Sequence, residues 1–353
     1  MGDSVKLKIN GVEVKTQPGK TIFKAAREAG IEIPHLCYHD RLPPTGACRM
    51  CVVEVKGARA LVTSCTTPVS KGMEIHTNSE RVRKARRMII ELLVSNHPLD
   101  CMTCELAGNC KLQDYAYEYD VKDTRFKGEK TDFPIQDNNG FIVRDYSKCI
   151  LCGRCVWACA NLRHRNVIDF TGRGFKTKIA TPYDGPMTTE TCEFCGECVA
   201  VCPVGALTEK ERAGAGREWE FEKVRTTCPY CGVGCTLELS IKDGRIIRST
   251  APEDEGTNNG SLCTKGRFGL GFVNHPDRLK TPLVRKNGEL VESTWEEALG
   301  LVATKLTEIK EDSGPDSIGF FSSAKATNEE NFIFQKFARA VVGTNNVDHC
   351  AHL

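Results

Sequence analysis

The chain has 353 residues with a formal net charge of +2, and 20 of them are cysteine. The near-neutral balance gives no footprint for nucleic acid, and no run is long and apolar enough to cross a bilayer. Met1 to Asn10 lacks the charged start and apolar run of a secretory leader. The expected address is therefore cytoplasmic, where thiols stay reduced and cysteines serve as metal ligands more often than as disulfides.

Residues 5–15 alternate apolar and polar about Asn10-Gly11, a hairpin pattern. Thr21 to Ala29 reads as a helix stopped by Gly30. Val52 to Val55 and Ala60 to Val62 read as strands, so residues 1–79 are expected to form a small α+β domain. Ser79 caps a predicted helix from Glu80 to Asn96, ending before Pro98. Its apolar stripe is Val82, Ala85, Ile89, Leu92 and Leu93. Its basic face (Arg81, Arg83, Lys84, Arg86, Arg87) is expected to be solvated or to meet a partner. Residues 100–146 read as loop-rich and complete a module over 80–146. An internal repeat fills 147–211, and Gly214-Ala215-Gly216 marks a linker over 212–220. Within 221–280 a hairpin runs from Thr236 to Ser249 around Asp243-Gly244. From 281 to 353 a helix capped by Thr294, a strand at Ser317 to Phe321 and a helix from Asn328 to Val342 suggest the opening of an α/β domain.

The repeat is Cys-x2-Cys-x2-Cys-x3-Cys, written once as Cys149, Cys152, Cys155, Cys159 and again as Cys192, Cys195, Cys198, Cys202 followed by Pro203. This is the run of bacterial two-cluster ferredoxins, whose fourth cysteine serves the other cluster. It assigns Cys149, Cys152, Cys155 and Cys202 to one [4Fe–4S] cluster and Cys192, Cys195, Cys198 and Cys159 to its twin. Zinc sites pair Cys-x2-Cys units and do not call for two such runs. Trp157 is expected to pack around a cluster. A second group, Cys37, Cys48, Cys51 and Cys65, has ten, two and thirteen intervening residues, with Gly46 suited to a close-wrapping loop. A third is His97-x3-Cys101-x2-Cys104-x5-Cys110. The last is Cys228-x2-Cys231-x3-Cys235 with Cys263 beyond the hairpin. For the second and third groups a zinc site and a plain helix-end histidine, respectively, are the alternatives. Only Cys350 is left over.

The second and third groups resemble the front modules of complex I's large iron–sulfur subunit and of many-cluster iron-only hydrogenases. The Cys228 group, with Cys263-Thr-Lys265-Gly, resembles the N-terminal domain of molybdopterin oxidoreductases. In this order the set resembles the catalytic subunit of cytosolic molybdenum or tungsten formate dehydrogenases over residues 1 to about 270. The resemblance implies an α+β multidomain fold: a β-grasp [2Fe–2S] ferredoxin domain, a [4Fe–4S] module with one His and three Cys ligands, a two-cluster ferredoxin domain, and a [4Fe–4S] domain leading into α/β. It implies one [2Fe–2S] cluster on Cys37, Cys48, Cys51 and Cys65, and four [4Fe–4S] clusters, one of them on His97, Cys101, Cys104 and Cys110 and one on Cys228, Cys231, Cys235 and Cys263. Lys265 becomes an electron relay toward a molybdenum or tungsten bis-pterin guanine dinucleotide. Partners are expected to be flavin/NAD-binding and small iron–sulfur subunits, or ferredoxin, in a hetero-oligomer.

Asn346-Val-Asp-His-Cys-Ala-His-Leu353 resembles the segment before the metal-ligating selenocysteine or cysteine of that family. The expectation is truncation at that codon, with no catalytic residue in the chain and the metal ligand just after Leu353; His349 and His352 are expected to be solvated or to line a pocket. A stand-alone electron-transfer subunit and a complex I-like large subunit are the other readings. Gly266 to Gly271 does not match the dinucleotide fingerprint, so nicotinamide chemistry is expected to belong to a partner.

Overall fold

In the computed structural model, which describes residues 4–350, the chain divides after Phe221 into two units. The first opens on β1 (Val5–Ile9) and β2 (Val12–Thr16), antiparallel with Ile9 opposite Val12. Asn10 and Gly11 both take positive φ, the two-residue turn whose twist suits its strands. In α1 (Ile22–Glu28) the Thr21 hydroxyl accepts the Lys24 N–H, and Gly30 lies just beyond the end at positive φ. Strands β3 (Val52–Val55), β4 (Val62–Thr63) and β5 (Glu74–His76) complete a mixed sheet in the order β2-β1-β5-β3-β4. Ile9, Ile22, Phe23, Val53 and Ile75 meet in the core between sheet and helix. Pattern reading misses β5, which is too short to show a period. It nonetheless joins the two halves of the sheet, parallel to β1 and antiparallel to β3. The second predicted strand starts late, at Val62.

Helix α2 (Glu80–Ser95) begins at Ser79, whose hydroxyl accepts the Val82 N–H. Its buried face is Val82, Arg86, Ile90, Glu91 and Val94, rotated from the predicted stripe so that Leu92 is exposed. Arg86 corrects the predicted basic face. It is buried and donates to the Tyr119 hydroxyl and the Val52 carbonyl at 3.2 and 2.8 Å. Helical periodicity carries no trace of those acceptors, because both lie on other elements.

Helix α3 (Lys111–Glu118) forms inside the region read as loop. Then come β6 (Ile142–Arg144), α4 (Arg154–Trp157), β7 (Asp169–Thr171), β8 (Lys178–Ala180), α5 (Glu197–Ala200) and β9 (Leu207–Glu209). β6 pairs antiparallel with β9, which closes the two ends of the cysteine repeat on each other. The 212–220 segment is tied to the loop ahead of α3. Arg217 donates to the Cys104 and Met102 carbonyls, the Gly214 N–H donates to Glu105 at 3.0 Å, and the Trp219 ring packs on Gly108.

The second unit starts with an antiparallel sheet of β10 (Glu222–Thr227), β11 (Thr236–Lys242) and β12 (Arg245–Thr250). Asp243 and Gly244 make its tight turn at positive φ. Next come α6 (Thr264–Phe268), the hairpin β13 (Leu283–Lys286) and β14 (Glu289–Glu292), α7 (Trp295–Ser313), β15 (Phe320–Ser323), α8 (Asn328–Lys336) and β16 (Val347–Cys350). β15 and β16 run parallel, which requires the crossover that α8 supplies. Phe320 is buried but Phe321 is exposed, since neighbours on a strand face opposite sides, so only the first is core. Among the described residues no helix is long and apolar enough to cross a membrane.

Candidate metal centres

The loop from α1 to β3 carries Cys37, Cys48 and Cys51, and the pairing of β3 with β4 brings Cys65, just beyond β4, to Cys51, so that the four stand in two pairs. The Cys37 N–H points at the Cys48 sulfur at 3.3 Å and the Cys48 N–H at the Cys37 sulfur at 3.4 Å. The Cys51 and Cys65 sulfurs are 3.2 Å apart. The hydrogen bond from Cys48 brings the Cys37 thiol down to about 5 while Cys48 rises, and that from Cys65 brings Cys51 down to about 7 while Cys65 rises. A [2Fe–2S] cluster takes two cysteine sulfurs on each iron, which matches this division. Gly46 has φ +66°, and a Cβ there would meet Thr66 at 3.3 Å.

His97 follows the last residue of α2 by two positions and is 8% exposed. Its Nε2 is buried with no hydrogen-bond partner, while Nδ1 lies 3.3 Å from the Leu99 N–H. Burial pulls the imidazole below its ordinary value, which favours the neutral ring that can coordinate metal. Ligation through Nε2 would move the ring proton to Nδ1 and release the Leu99 contact. Burial raises the Cys101 thiol, with Cys104 adding to it, and lifts Cys110 to about 11. Lys148, held by Asp100 and Asp145 at 2.9 and 3.0 Å, acts on both His97 and Cys104. A Cβ on Gly205 would stand 2.7 Å from the Cys104 sulfur. Gly205→Ala is therefore expected to cost about four iron per chain with the [2Fe–2S] signal retained. Metal analysis with EPR checks this; unchanged iron would mean that the Cys104 sulfur has room to move.

The two halves of the repeat share one backbone geometry. Leu151 and Phe194 take positive φ, and their N–H groups point at the Cys149 and Cys192 sulfurs, each at 3.4 Å. Gly153 and Gly196, also left-handed, lead into α4 and α5, which carry Cys155 and Cys198. The fourth cysteines cross over. Cys202 acts on Cys152 and Cys155, and Cys159 acts on Cys192 and Cys198. Burial lifts Cys149 and Cys152 to about 12 and Cys202 to about 11, and it puts Cys155 and Cys198 well above the ordinary thiol value. Metal uptake by such thiols must release protons. Trp157 is 37% exposed and lies against Gly153.

Motif reading passes over two charged residues here. Arg154 and Glu197 occupy the same place in the two halves, Cys-Gly-Arg-Cys and Cys-Gly-Glu-Cys, and both are buried. Arg154 donates to the Tyr38 and Val201 carbonyls, and Glu197 accepts from Arg41 at 2.5 Å. Both therefore grip the loop just after Cys37. The detectable signal is a charge of opposite sign at one repeated position. One apolar core also links three of the groups. Leu36, Met50, Ile90 and Val204 pack there with Cys48, Cys104, Cys110, Cys149 and Cys202.

In the second unit, Cys228, Cys231, Cys235 and Cys263 act on one another. The Cys228 N–H donates to the Cys235 carbonyl at 2.8 Å. The Asn258 side chain bonds the Thr236 N–H and the Ser261 carbonyl at 2.8 and 2.9 Å, tying the Cys263 loop to β11. Lys265 has its Nζ 5.9 Å from the Tyr230 ring centre and acts on Cys228. Cys350 is exposed in β16, and His349 lines a cavity with Ser322, Asn331 and Phe334. His352 and Leu353 lie outside the described residues. Among the described residues no three His, Cys, Asp or Glu side chains converge on a point as ligands of a single ion would.

Five family profiles match in chain order. They are a 2Fe-2S iron-sulfur cluster binding domain (2–80), the NADH-ubiquinone oxidoreductase-G iron-sulfur binding region (86–125), the ferredoxin-like domain of NADH-quinone oxidoreductase subunit 3 (140–208), the molybdopterin oxidoreductase Fe4S4 domain (221–275) and molybdopterin oxidoreductase (278–353). The NADPH-Fe(3+) oxidoreductase subunit alpha of Geobacter sulfurreducens is 38% identical over 99% of this chain and 40% of its own length. A G-type subunit of NADH-quinone oxidoreductase from Rhizobium meliloti is 36% identical over 98% of this chain and 40% of its own length. A Staphylococcus aureus protein provisionally named formate dehydrogenase is 31% identical over 99% of this chain and 39% of its own length. The chain thus spans about two fifths of the length of these relatives. The crystal structure of an NAD+-reducing [NiFe]-hydrogenase in the H2-reduced state aligns with a TM-score of 0.54 at 29% identity, over 61% of this chain and 91% of that one. The chain is a mixed α/β multidomain protein that joins [2Fe–2S] and [4Fe–4S] iron–sulfur domains to a molybdopterin oxidoreductase domain, with homologues among G-type subunits of NADH-quinone oxidoreductases and provisionally named formate dehydrogenases.

Proposed function

We propose that this chain is the iron–sulfur relay of a molybdopterin oxidoreductase catalytic subunit, with one [2Fe–2S] cluster on Cys37, Cys48, Cys51 and Cys65 and four [4Fe–4S] clusters. Their ligands are His97, Cys101, Cys104 and Cys110; Cys149, Cys152, Cys155 and Cys202; Cys192, Cys195, Cys198 and Cys159; and Cys228, Cys231, Cys235 and Cys263. What supports the reading is the spacing that sorts every cysteine but Cys350 into these five sets, together with the buried, unpartnered Nε2 of His97 three residues ahead of the Asp100-Cys101 loop. Bound there, the clusters supply one-electron carriers between a pterin-bound metal and partner subunits. The protein's own residues keep water out through the shared apolar core, aim backbone N–H groups at sulfur, and set charge beside the thiolates through Lys148 and Arg154.

The substrate pair we favour is formate and CO2, in keeping with the Staphylococcus aureus relative and the Asn346 to His349 segment. On this reading Lys265, which stands beside Tyr230 and Cys228, would help pass electrons between the last cluster and a molybdenum or tungsten bis-pterin. A second reading, an NAD(P)H-linked G-type subunit, is favoured by the Geobacter and Rhizobium relatives. Either reading calls for flavin/NAD-binding and small iron–sulfur subunits, or ferredoxin, as partners. In the complete enzyme, formate-dependent viologen reduction supports the first, and NADH-dependent reduction without formate activity supports the second. For the chain itself, anaerobic purification should yield about eighteen iron, one [2Fe–2S] signal and further [4Fe–4S] signals. A colourless, zinc-loaded preparation would reject the relay.

A further inference from the structure

Arg144 ends β6, one strand residue beyond Val143 and on the same face as Ile142, which is fully buried. The arginine is 1% exposed, and its Nε, Nη1 and Nη2 all lack a hydrogen-bond partner. Its backbone is fully engaged, exchanging hydrogen bonds with Gln136 at 2.9 Å in both directions. The buried Arg86, Arg154 and Arg212 each donate to an oxygen. Arg144 does not. A guanidinium keeps its charge at every accessible pH, and a buried charge without acceptors is strongly destabilising. Something must answer it in the working protein.

The neighbours narrow the choice. Asp184 is near enough to feel Arg144, but its oxygens are taken by Lys178 at 2.5 Å and Gln136 at 3.4 Å. The Arg144 Cζ stands 6.0 Å from the Tyr146 ring centre, and the Tyr146 hydroxyl is a second buried group with no hydrogen-bond partner. Burial raises the Tyr146 phenol, Arg144 opposes the rise both by its charge and as a hydrogen-bonding neighbour just outside ideal geometry, and Cys155 and Cys198 add to it. Those two thiols come from different halves of the repeat, so Tyr146 faces both candidate twin centres, and Arg144 stands behind it with its Cζ 6.0 Å from the ring centre.

We propose that Arg144, together with the Tyr146 hydroxyl, is the internal counter-charge of the twin [4Fe–4S] clusters and donates hydrogen bonds to their sulfurs. The inference rests on the twin-cluster reading above. A cluster held by four thiolates is anionic and gains a further negative charge on reduction. A fixed cation and donor therefore stabilise the reduced form more than the oxidised one and raise the potential.

The test is an EPR-monitored redox titration of the anaerobically purified full chain, with iron measured in parallel. Arg144→Gln should make reduction of at least one twin cluster about tenfold less favourable, about 59 mV for a one-electron couple. Arg144→Lys, which keeps the charge, should restore most of the potential. Tyr146→Phe should shift it in the same direction by less, and it decides the matter if Arg144→Gln does not fold. Unmoved potentials at full iron content in the variants that fold would overturn the proposal and leave Arg144 a structural residue. A wild-type chain with no twin [4Fe–4S] signals would be a different failure, that of the twin-cluster reading itself.

Discussion

Replacing His97 by Ala should remove one [4Fe–4S] EPR signal and about four iron per chain while the [2Fe–2S] signal stays intact. The expectation comes from the state of the ring. Its Nε2 is buried and unpartnered, and burial favours the neutral form. The Lys148 that acts on it also acts on Cys104. An imidazole whose only purpose was to end α2 would have no reason to bury a nitrogen with nothing to bond. His97→Cys should rebuild the site with an added negative charge, which lowers its potential relative to the histidine form. If His97→Ala keeps every signal and all its iron, the residue is a packed helix-end histidine, and three cysteines must find another ligand.

Glu197→Ala should destabilise the iron-loaded chain by about 3–5 kcal/mol, because it removes the buried carboxylate that pairs with the Arg41 guanidinium. The pair is 2.5 Å apart, with side-chain exposures of 14% and 1%. Solvent therefore screens it little. The Lys84–Glu80 pair on α2 offers a control. At 2.6 Å it is as close, but its side chains are 76% and 81% exposed, and Glu80→Ala should change stability by less than about 1 kcal/mol. The denaturant midpoint at constant slope reads both. A Glu197→Ala loss as small as that of Glu80→Ala would mean that water already reaches the Arg41 contact. The consequence for function is positional. Arg41 and Tyr38 follow Cys37 closely, and Glu197 and Arg154 stand beside Cys198 and Cys155, so these contacts hold the first thiol group against the repeat.

Much of this arrangement is legible in the order of residues alone. The Asn10-Gly11 and Asp243-Gly244 turns, the Ser79 and Thr294 caps and the helices they start all stand where turn and cap chemistry puts them. These features depend on atoms a few residues apart. The stripe of α2 is misplaced by periodicity for the opposite reason. Its buried face includes Arg86 and Glu91, which hydrophobicity assigns to solvent, because their partners sit on β3, after α3 and at Arg125. Strand β5 escapes because it has no turn or cap of its own and exists only as the piece that fits between β1 and β3.

By itself, the sequence determined the spacing of the thiols and of His97, because cysteines a few residues apart in a tight loop have few ways to point and the spacing survives whatever the rest of the chain does. Only the tertiary structure decided which charges are buried and what answers them: Arg41 against Glu197, 156 residues away, Arg154 against the carbonyl of Tyr38, and Arg144 beside the Tyr146 ring with no oxygen in hydrogen-bonding geometry among the described residues. The reason is that a charge's free energy is set by the acceptors and solvent around it in space, and those come from elements that sequence proximity does not connect.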